Sequence, residues 1–313
     1  MSDKVFVGID TSNYTTSFAI SNKKGEILNN FKILLPVKQG ERGLRQSEAV
    51  FAHIKNLPKI ADMIRENTAD MNIAAIGYSA YPRDAEGSYM PCFLVGEALA
   101  NILSSVEKIP LYKFSHQAGH IRAAVYSSGV EIDGEFIAFH VSGGTTEILK
   151  VQPADGYYSV DIIGQSNDLH AGQAIDRIGV HLGLAFPCGR MMEEYAKKNT
   201  AKIPKKKTSV QDLVCNLSGL ENLALNLYKE TKNKELTCAF TIDFIGNVIV
   251  ELTENLRKQF PSHKIVYGGG VLSNSIIQSR LFAKFKDVYF AEPQFSSDNA
   301  SGVALLTRDI YFN

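Results

Sequence analysis

Two histidines stand four residues apart in the sequence HQAGH, at His116 and His120. On an α-helix, residues at i and i+4 lie one turn apart on the same face, so both imidazoles can reach a single metal ion. Histidine pairs at this spacing also cap or fill helices, and the spacing alone leaves both interpretations open. A zinc protease needs a glutamate directly after the first histidine, and Gln117 argues against that class. Ala118 and Gly119 leave room for a close approach to the helix.

Three turns rich in glycine or hydroxyl residues offer backbone amides to a ligand. Segments 5–20 and 136–151 each read as strand, polar turn and strand, and the second turn has the sequence SGGTT. Turns of this kind leave N–H groups free for phosphate. Segment 264–285 places GGG between a strand and a helix. A flat ligand can lie against such a backbone, although tight packing also favours glycine there.

The elements that position these residues form a repeated α/β pattern. Each predicted β-hairpin opens a run of alternating helices and strands. The predicted helices include residues 48–67, 96–106, 171–184, 191–198, 218–228, 242–259 and 274–285, besides the HQAGH helix and a last helix from about residue 299. We predict two α/β domains related by duplication, residues 1–130 and 131–313, with a ligand-binding cleft between them.

The composition argues against several classes of protein. Acidic and basic residues balance at 33 each among 313 residues, so no overall field attracts the chain to nucleic acid or to a membrane surface. The four cysteines form no CxxC pair, which indicates buried thiols in a reducing compartment. The N-terminus shows no signal-peptide pattern, and no apolar run approaches the ~20 residues of a transmembrane helix. We expect a cytoplasmic protein without membrane contact.

Six motifs in a fixed order cover nearly the whole chain: GIDTS, HQAGH, VSGGT, AID with FPCG, GGGVLSN and SSDNA. Together they resemble the TsaD/Kae/Gcp family, once called O-sialoglycoprotein endopeptidases or glycoproteases. The resemblance implies two duplicated actin/Hsp70/sugar-kinase-like (ASKHA) domains with nucleotide and metal bound in the cleft between them. It also implies a tRNA threonylcarbamoyladenosine synthase. Such an enzyme transfers threonylcarbamoyl from threonylcarbamoyl-adenylate to the tRNA adenosine next to the anticodon.

The resemblance implies a metal site. His116 and His120 fall on the family's metal-binding histidines, and Asp298 falls on its C-terminal metal-binding aspartate. Two imidazoles and a carboxylate suit a divalent metal such as iron or zinc with open positions for substrate. His140 falls where some relatives carry a tyrosine that approaches the metal. It is either a further ligand or a histidine hydrogen-bonded in the domain interface. No convincing general base is found, so the catalytic residue stays unassigned.

The resemblance also implies a site for ATP or threonylcarbamoyl-adenylate. The phosphate-binding hairpin falls on Val141, Ser142, Gly143, Gly144 and Thr145. Asp176 falls on a carboxylate that contacts the ribose, although a charge on a helix surface is the alternative. Gly189 and Glu193 fall on other nucleoside contacts. Asn274 falls on a nucleotide-contacting asparagine and also suits an N-cap, and the two roles are compatible.

Several segments depart from the family pattern. The usual ETSCDET-type run is DTSNYTT, which keeps Asp10 but loses two acidic side chains. VSGGHT is VSGGTT, so Thr145 stands in place of a histidine, and PGGP is PCGR, which we expect to place Cys188 and Arg190 beside the nucleotide. The segment before Glu48 is shortened to QGERGLRQSEA. These departures indicate a divergent branch or a paralogue, and they bear on the substrate more than on the fold.

The partners that the family implies are tRNA, the enzyme that forms the adenylate, and TsaB-like and TsaE-like subunits. One short stretch of the chain offers positive charge to RNA phosphates, although a solvated linker has the same composition. Its lysines are Lys197, Lys198, Lys202, Lys205, Lys206 and Lys207.

Three other functions share parts of this pattern. A carbamoyltransferase for a small molecule would use the same metal site and hairpins, but it normally carries a fused adenylate-forming domain for which 313 residues leave no room. A small-molecule kinase of the same superfamily has no need for HQAGH together with SSDNA. A noncatalytic ATP-binding scaffold subunit should have lost the metal ligands. A divergent paralogue with a small-molecule acceptor remains the principal alternative.

Overall fold

Two mixed β-sheets form the framework of the chain in a computed structural model that describes residues 4–12, 14–37 and 44–313. The first sheet has the strand order β3-β2-β1-β4-β5. Its strands are β1 (Lys4–Ser12), β2 (Thr15–Asn22), β3 (Ile27–Leu34), β4 (Asn72–Tyr81) and β5 (Leu111–Ser115). β1, β2 and β3 form an antiparallel meander, and β4 and β5 continue the sheet as parallel strands.

The second sheet repeats this topology and has the order β12-β11-β6-β7-β8-β10-β9. Its strands are β6 (Phe136–Val141), β7 (Thr146–Ala154), β8 (Tyr157–Ser166), β9 (Val210–Gln211), β10 (Val214–Cys215), β11 (Ile265–Gly268) and β12 (Val288–Phe290). β6, β7 and β8 form the meander, and β11 and β12 add the parallel strands. Without the short β9 and β10, the strand order matches that of the first sheet. The repeat agrees with the predicted α/β architecture of two related halves.

Helices cover both sheets, and most lie within a few residues of their predicted positions. They are α1 (Gln46–Thr68), α2 (Phe93–Glu107), α3 (His116–Ser128), α4 (Ala171–His181), α5 (Gly189–Lys197), α6 (Ser218–Thr231), α7 (Lys234–Gln259), α8 (Ser275–Lys284), α9 (Pro293–Ser296) and α10 (Ser301–Phe312). A 3-10 turn, Gly270–Ser273, precedes α8.

The sequence did not reveal the third strand of either meander. β3 is an edge strand whose side chains are half-buried or exposed, and β8 has few buried positions, so neither shows the alternation of apolar and polar residues typical of a strand. Residues 38–43 of the shortened segment before Glu48 lie outside the described part of the chain.

The long helix α7 lies at the centre of the core of the second half. It buries residues on nearly every turn, and the core that it shares includes Phe240, Ile245 and Leu252. By length and composition α7 is apolar enough to cross a membrane, but 83% of its most apolar window is buried inside the protein. A buried core helix has the same composition. In the sequence α7 is not an unbroken apolar run, because polar residues such as Asp243 and Asn247 interrupt it.

The last helix returns to the first sheet. α10 packs against β1, β2, β4 and α3. The C-terminal helix thus contacts the N-terminal half of the chain. The domain boundary near residue 130 stays a prediction. A methyl group on Gly302 would overlap the carbonyl oxygen of Gly119 and lie 3.0 Å from the backbone nitrogen of Ala123. At Gly8 it would overlap the backbone of Ala300 and Ala304. α10 thus fills the room left beside Gly119.

We expect the substitution Gly302→Ala to separate α10 from α3 and to lower the free energy of unfolding by about 1–3 kcal/mol, the usual cost of overpacking. Gly219→Ala is the matched control, because a methyl group on this residue of α6 would meet no atom within 4 Å. The control should be neutral or stabilising by at most about 1 kcal/mol. Urea denaturation measures both values. Equal stability of the two variants would contradict the close contact.

Candidate metal and nucleotide site

α3 begins at His116, immediately after β5. Ser115 caps the helix, since its hydroxyl accepts a hydrogen bond from the backbone N–H of Ala118 at 3.1 Å. One helical turn separates His116 from His120, and their Nε2 atoms lie 3.0 Å apart. The predicted convergence of the two imidazoles on one point is therefore present.

Asp298 reaches the same point from the loop before α10. Its Oδ1 lies 3.7 Å from Nε2 of His116 and 3.4 Å from Nε2 of His120. The three ligand atoms all lie within 4.8 Å of one another. Ser12, at the end of β1, donates its hydroxyl hydrogen to the other carboxylate oxygen, Oδ2, at 2.9 Å. Asn299 accepts a hydrogen bond from the N–H of Ser301 at 3.0 Å, which fixes the loop at the start of α10.

Asp10 lies behind His116 and orients it. Its Oδ2 is 2.7 Å from Nδ1 of His116, so Nε2 is left facing the cluster. The hydroxyl of Ser79 also donates to Oδ2, and the backbone N–H of Ser12 donates to Oδ1 at 3.0 Å. A carboxylate that holds the second nitrogen of a metal-binding histidine is a common supporting arrangement. In the sequence Asp10 stands out only as the acidic residue that the first loop retains. Its contact with His116 arises because β1 and β5 belong to the same sheet.

The cluster separates charges in a defined way. Burial opposes a positive His116, but Asp10 and Asp298 outweigh burial and raise its pKa to about 10. Burial also opposes a charged Asp298, but the hydrogen bonds and charges of His116 and His120 hold its pKa well below its usual range. Burial and the neighbouring charge of His116 lower the pKa of His120. These shifts favour a positive charge on His116, between the two carboxylates, and disfavour one on His120.

His140, on β6, lies next to this cluster and outside it. Its ring centroid is 4.6 Å from that of His120. The side chain is buried, and neither ring nitrogen has a hydrogen-bond partner among the described residues. The structure therefore does not support the alternative prediction that His140 is a hydrogen-bonded histidine in the domain interface. Two unpaired buried nitrogens can serve a ligand that approaches the cluster, and direct ligation by His140 stays a prediction.

The donor set fits a divalent cation. Two neutral imidazole nitrogens and one carboxylate oxygen are ligands that iron and zinc accept, and three protein ligands leave positions open. Asp10 and Ser12 supply the outer hydrogen bonds that such sites require.

The predicted phosphate turn, Val141 to Thr145, joins β6 to β7. The N–H of Ser142 donates to the carbonyl of Thr145 at 2.8 Å, which closes the turn. A methyl group on Gly143 or Gly144 would meet no atom within 4 Å, so this turn faces open space. The N-terminus of α4 lies behind it, where the N–H of Gly172 donates to the carbonyl of Ser142 at 3.2 Å. A glycine turn with a helix N-terminus behind it is suited to an anion.

The predicted nucleoside-binding carboxylates already have protein partners. Asp176, on α4, accepts a hydrogen bond from the N–H of Cys188 at 2.7 Å. Glu193, on α5, accepts from the hydroxyl of Ser275 at 2.6 Å and pairs with Lys197 at 2.7 Å. These bonds join α4 to the start of α5, which is Gly189, and α5 to α8.

The glycine triplet lies beside the phosphate turn. Gly269 has a φ of 96°, and a methyl group there would overlap the backbone of Val141. Asn274 begins α8 as its N-cap and accepts hydrogen bonds from the N–H groups of Ile276 at 3.0 Å and Ile277 at 3.3 Å. The capping role of Asn274 is therefore present, and its contact with a nucleotide stays a prediction.

The two side chains that depart from the family pattern in PCGR have different surroundings. The Cys188 side chain is buried against Gly179, so its thiol does not face a ligand. Arg190 has 92% of its side chain exposed and pairs with Glu194 at 3.2 Å. The expectation that both side chains lie beside the nucleotide therefore fails for the buried thiol. The backbone N–H of Cys188 is the group that matters, because it binds Asp176.

Asp176 makes stability depend on pH. Burial raises its pKa to about 6, against the hydrogen bond from Cys188. The unfolded chain should titrate near the ordinary value of about 3.9. The contribution of Asp176 is therefore largest below about pH 4 and is lost as the pH rises through about 6. We expect wild type to lose stability relative to Asp176→Asn between about pH 4 and pH 7, as measured by urea denaturation. Parallel profiles of the two proteins would contradict this assignment.

Comparison with solved structures supports the fold. The chain is similar to HypF from T. kodakarensis, with a TM-score of 0.63 and 13% identity over 99% of this chain and 48% of that protein. It is also similar to a ROK family glucokinase from Streptomyces griseus, with a TM-score of 0.53 and 11% identity over 97% of this chain and 99% of that one. These likenesses confirm the predicted ASKHA-type fold.

Comparison with known sequences establishes the family. The chain is 28% identical to the tRNA N6-adenosine threonylcarbamoyltransferase of Streptococcus suis strain 05ZYH33, over 99% of this chain and 94% of that protein. It is 27% identical to the protein of the same name from Streptococcus equi subsp. equi, over 97% and 91%. A family profile described as tRNA N6-adenosine threonylcarbamoyltransferase, TsaD, matches residues 27–305. The chain belongs to the TsaD family of tRNA N6-adenosine threonylcarbamoyltransferases.

Proposed function

We propose that this transferase moves a threonylcarbamoyl group from threonylcarbamoyl-adenylate to the tRNA adenosine next to the anticodon, with a divalent metal at His116, His120 and Asp298. The observation that carries the proposal is the place of His140 on β6. Its ring contacts His120, and the residue that follows it, Val141, opens the phosphate turn. A single ligand could then place its acyl group at the cluster and its phosphate at the turn. In an acyl-adenylate these two groups are directly bonded.

The transfer joins the exocyclic nitrogen of adenosine to the carbamoyl carbon. The bond between that carbon and the phosphate oxygen breaks, and AMP and one proton leave. No covalent nucleophile of the protein is required, because the adenylate is already activated. When bound, the metal supplies a Lewis acid for the carbamoyl or threonyl oxygens.

The chain's own groups hold the donor. By this proposal the amides of the turn from Gly143 to Thr145 bind the phosphate, and Asp176, Gly189, Glu193 and Asn274 surround the nucleoside. ATP would occupy the same nucleotide site. The two carboxylates would exchange or share their present partners, the N–H of Cys188 and the hydroxyl of Ser275, with nucleoside hydroxyls.

We propose that the lysine stretch contacts the phosphates of tRNA. Its six lysines lie at the end of α5 and in the loop that follows, and all are exposed. α5 also carries Gly189 and Glu193, and the first of the six lysines, Lys197, pairs with Glu193 at 2.7 Å, so the stretch begins next to the proposed nucleoside site. We favour an RNA contact over a solvated linker for this reason.

A second surface suits a protein partner. α1 and α2 contact one another and expose apolar side chains, Phe51 and Ile54 on α1 and Ile102 and Val106 on α2. We propose that a TsaB-like subunit docks there, while the adenylate-forming enzyme and a TsaE-like subunit complete the pathway. Four free, buried cysteines agree with the reducing cytoplasm that we propose as the location.

The first test supplies the adenylate-forming enzyme, a TsaB-like and a TsaE-like subunit, and tRNA lacking the modification, and measures transfer of labelled threonylcarbamoyl. We expect His116→Ala to lose at least about a hundredfold in transfer, the loss typical when one group that stabilises transition-state charge is removed. It should also lose bound metal, as measured by elemental analysis.

His263→Ala is the matched control. This half-buried histidine pairs with Glu135 at 3.1 Å, in the second half of the chain, and should keep both transfer and metal. Metal and nucleotide binding by wild type without any labelled tRNA would contradict the proposal and favour a paralogue with a small-molecule acceptor.

The second test concerns the RNA contact. Replacing Lys205, Lys206 and Lys207 by glutamine should weaken tRNA binding at low salt. The slope of the logarithm of the binding constant against the logarithm of salt concentration should fall in magnitude by about 0.9 for each phosphate that the variant no longer binds. Filter binding over a range of salt measures the slope.

A control with the same change in charge replaces Lys264, Lys284 and Lys286, which lie around β11, α8 and β12. Its slope should match that of wild type. Equal effects of the two triple variants would indicate a general effect of net charge and would contradict binding of tRNA at the lysine stretch.

A further inference from the structure

Arg83 is a cation at the junction of the two sheets that the proposed function leaves without a role. It lies in the loop after β4 and pairs with Glu147 of β7, with 2.8 Å between Nη1 and Oε1. Glu147 stands opposite His140 in the register of β6 and β7, so the two side chains lie on the same face of the sheet. The guanidinium is thereby placed beside the His140 edge of the metal cluster.

The loop on either side of Arg83 is fixed. The carbonyl of Pro82 accepts a hydrogen bond from the N–H of Gln117 at 3.0 Å. Asp84 accepts hydrogen bonds from the hydroxyls of Ser115 and Tyr157, each at 2.7 Å. Bonds to both halves of the chain hold the backbone of Arg83 in place, so the side chain is preorganised.

The ion pair uses little of the guanidinium. Glu147 is 3% exposed, and its other oxygen accepts a hydrogen bond from the side-chain amide of Gln117 at 2.8 Å. The ion pair joins Nη1 of Arg83 to Oε1 of Glu147, while the side chain of Arg83 remains 37% exposed. A guanidinium has five N–H donors in one plane. Within the described part of the chain, one of them is used by the ion pair with Glu147, and the others are available to an anion.

The two ring nitrogens of His140 lie on the same face of the sheet as Glu147, the partner of Arg83. Both are buried and unpaired among the described residues. Glu147, the partner of Arg83, is the second residue of β7, and β7 begins directly after the phosphate turn. Arg83 therefore lies near the end of that turn as well as near His140.

We propose that Arg83 binds the free carboxylate of the acyl donor and so selects an amino-acid-derived acyl group over a plain carbamoyl group. This inference rests on the proposed function, in which the carbamoyl carbon lies at the cluster. Three bonds, from carbon to nitrogen to Cα to the carboxylate carbon, separate the two groups, a span of about 4 Å. A further carboxylate close to the existing carboxylates of Asp10, Asp298 and Glu147 needs a cation. A guanidinium binds carboxylates in a planar, often bidentate geometry.

The test measures binding by calorimetry with three probes: a stable sulfamate analogue of threonylcarbamoyl-adenylate, the same analogue with its carboxylate converted to the methyl amide, and AMP. We expect Arg83→Gln to bind the acid about tenfold to a hundredfold more weakly than wild type, the usual loss for a hydrogen bond to a charged group. Wild type should disfavour the methyl amide by a similar factor, and Arg83→Gln should bind the two analogues equally. AMP should bind both proteins alike.

Two further variants exclude a structural explanation. Arg83→Gln combined with Glu147→Gln leaves no unpaired buried carboxylate, so the fold is retained and the same loss of discrimination is expected. Arg280→Gln removes another half-buried, ion-paired arginine, which contacts Asp243 at 2.6 Å, and should discriminate as wild type does.

Retained discrimination in Arg83→Gln would overturn the inference, and equal weakening of AMP would assign Arg83 to the phosphate instead. These binding data stand apart from the transfer assay. If wild type prefers the acid to the methyl amide but produces no labelled tRNA, the proposed function is refuted and the carboxylate site at Arg83 is kept. If wild type produces labelled tRNA but Arg83→Gln still prefers the acid, the proposed function is kept and the carboxylate site at Arg83 is refuted.

Discussion

The close approach of α3 and α10 is the constraint on which the site depends. Gly119 and Gly302 allow the two helix backbones to touch, and a side chain at Gly302 would hold them apart. Because α10 is docked there, the loop before it brings Asp298 to the two histidines from 178 positions beyond His120. Backbone packing of this kind tolerates little adjustment, since packed interiors transmit strain. The second half of the chain thus contributes a carboxylate to a cluster whose two histidines lie in the first half.

Strand β6 connects the two parts of the site. Alternate residues of a strand face opposite sides, so His140 faces the histidine cluster while Phe139 and Val141 face the core beneath α4 and α7. The chain then turns at Ser142, and the amides of the turn lie at the end of the same strand. One strand therefore sets the distance between the histidine cluster and the glycine turn.

The departures from the family pattern fall mostly where the backbone matters more than the side chain. Thr145 closes the phosphate turn through its carbonyl, and Cys188 binds Asp176 through its N–H. These hydrogen bonds involve backbone groups, so they do not depend on which side chain stands at either position. The acidic residue that the first loop retains, Asp10, is the one that orients His116.

Local periodicity in the sequence determined the helix with both histidines on one face, the two hairpins and the glycine turns, because each depends on residues close together in the chain. The third strands β3 and β8 escaped prediction because edge or surface strands lack a buried face. Motif order placed Asp298 with the histidines only through the family resemblance. Tertiary structure alone decided the contacts of Asp10 with His116, of Gly302 with Gly119 and of Arg83 with Glu147. Each joins residues that no helical or strand spacing relates, so only the packing of two sheets and a returning helix brings them together.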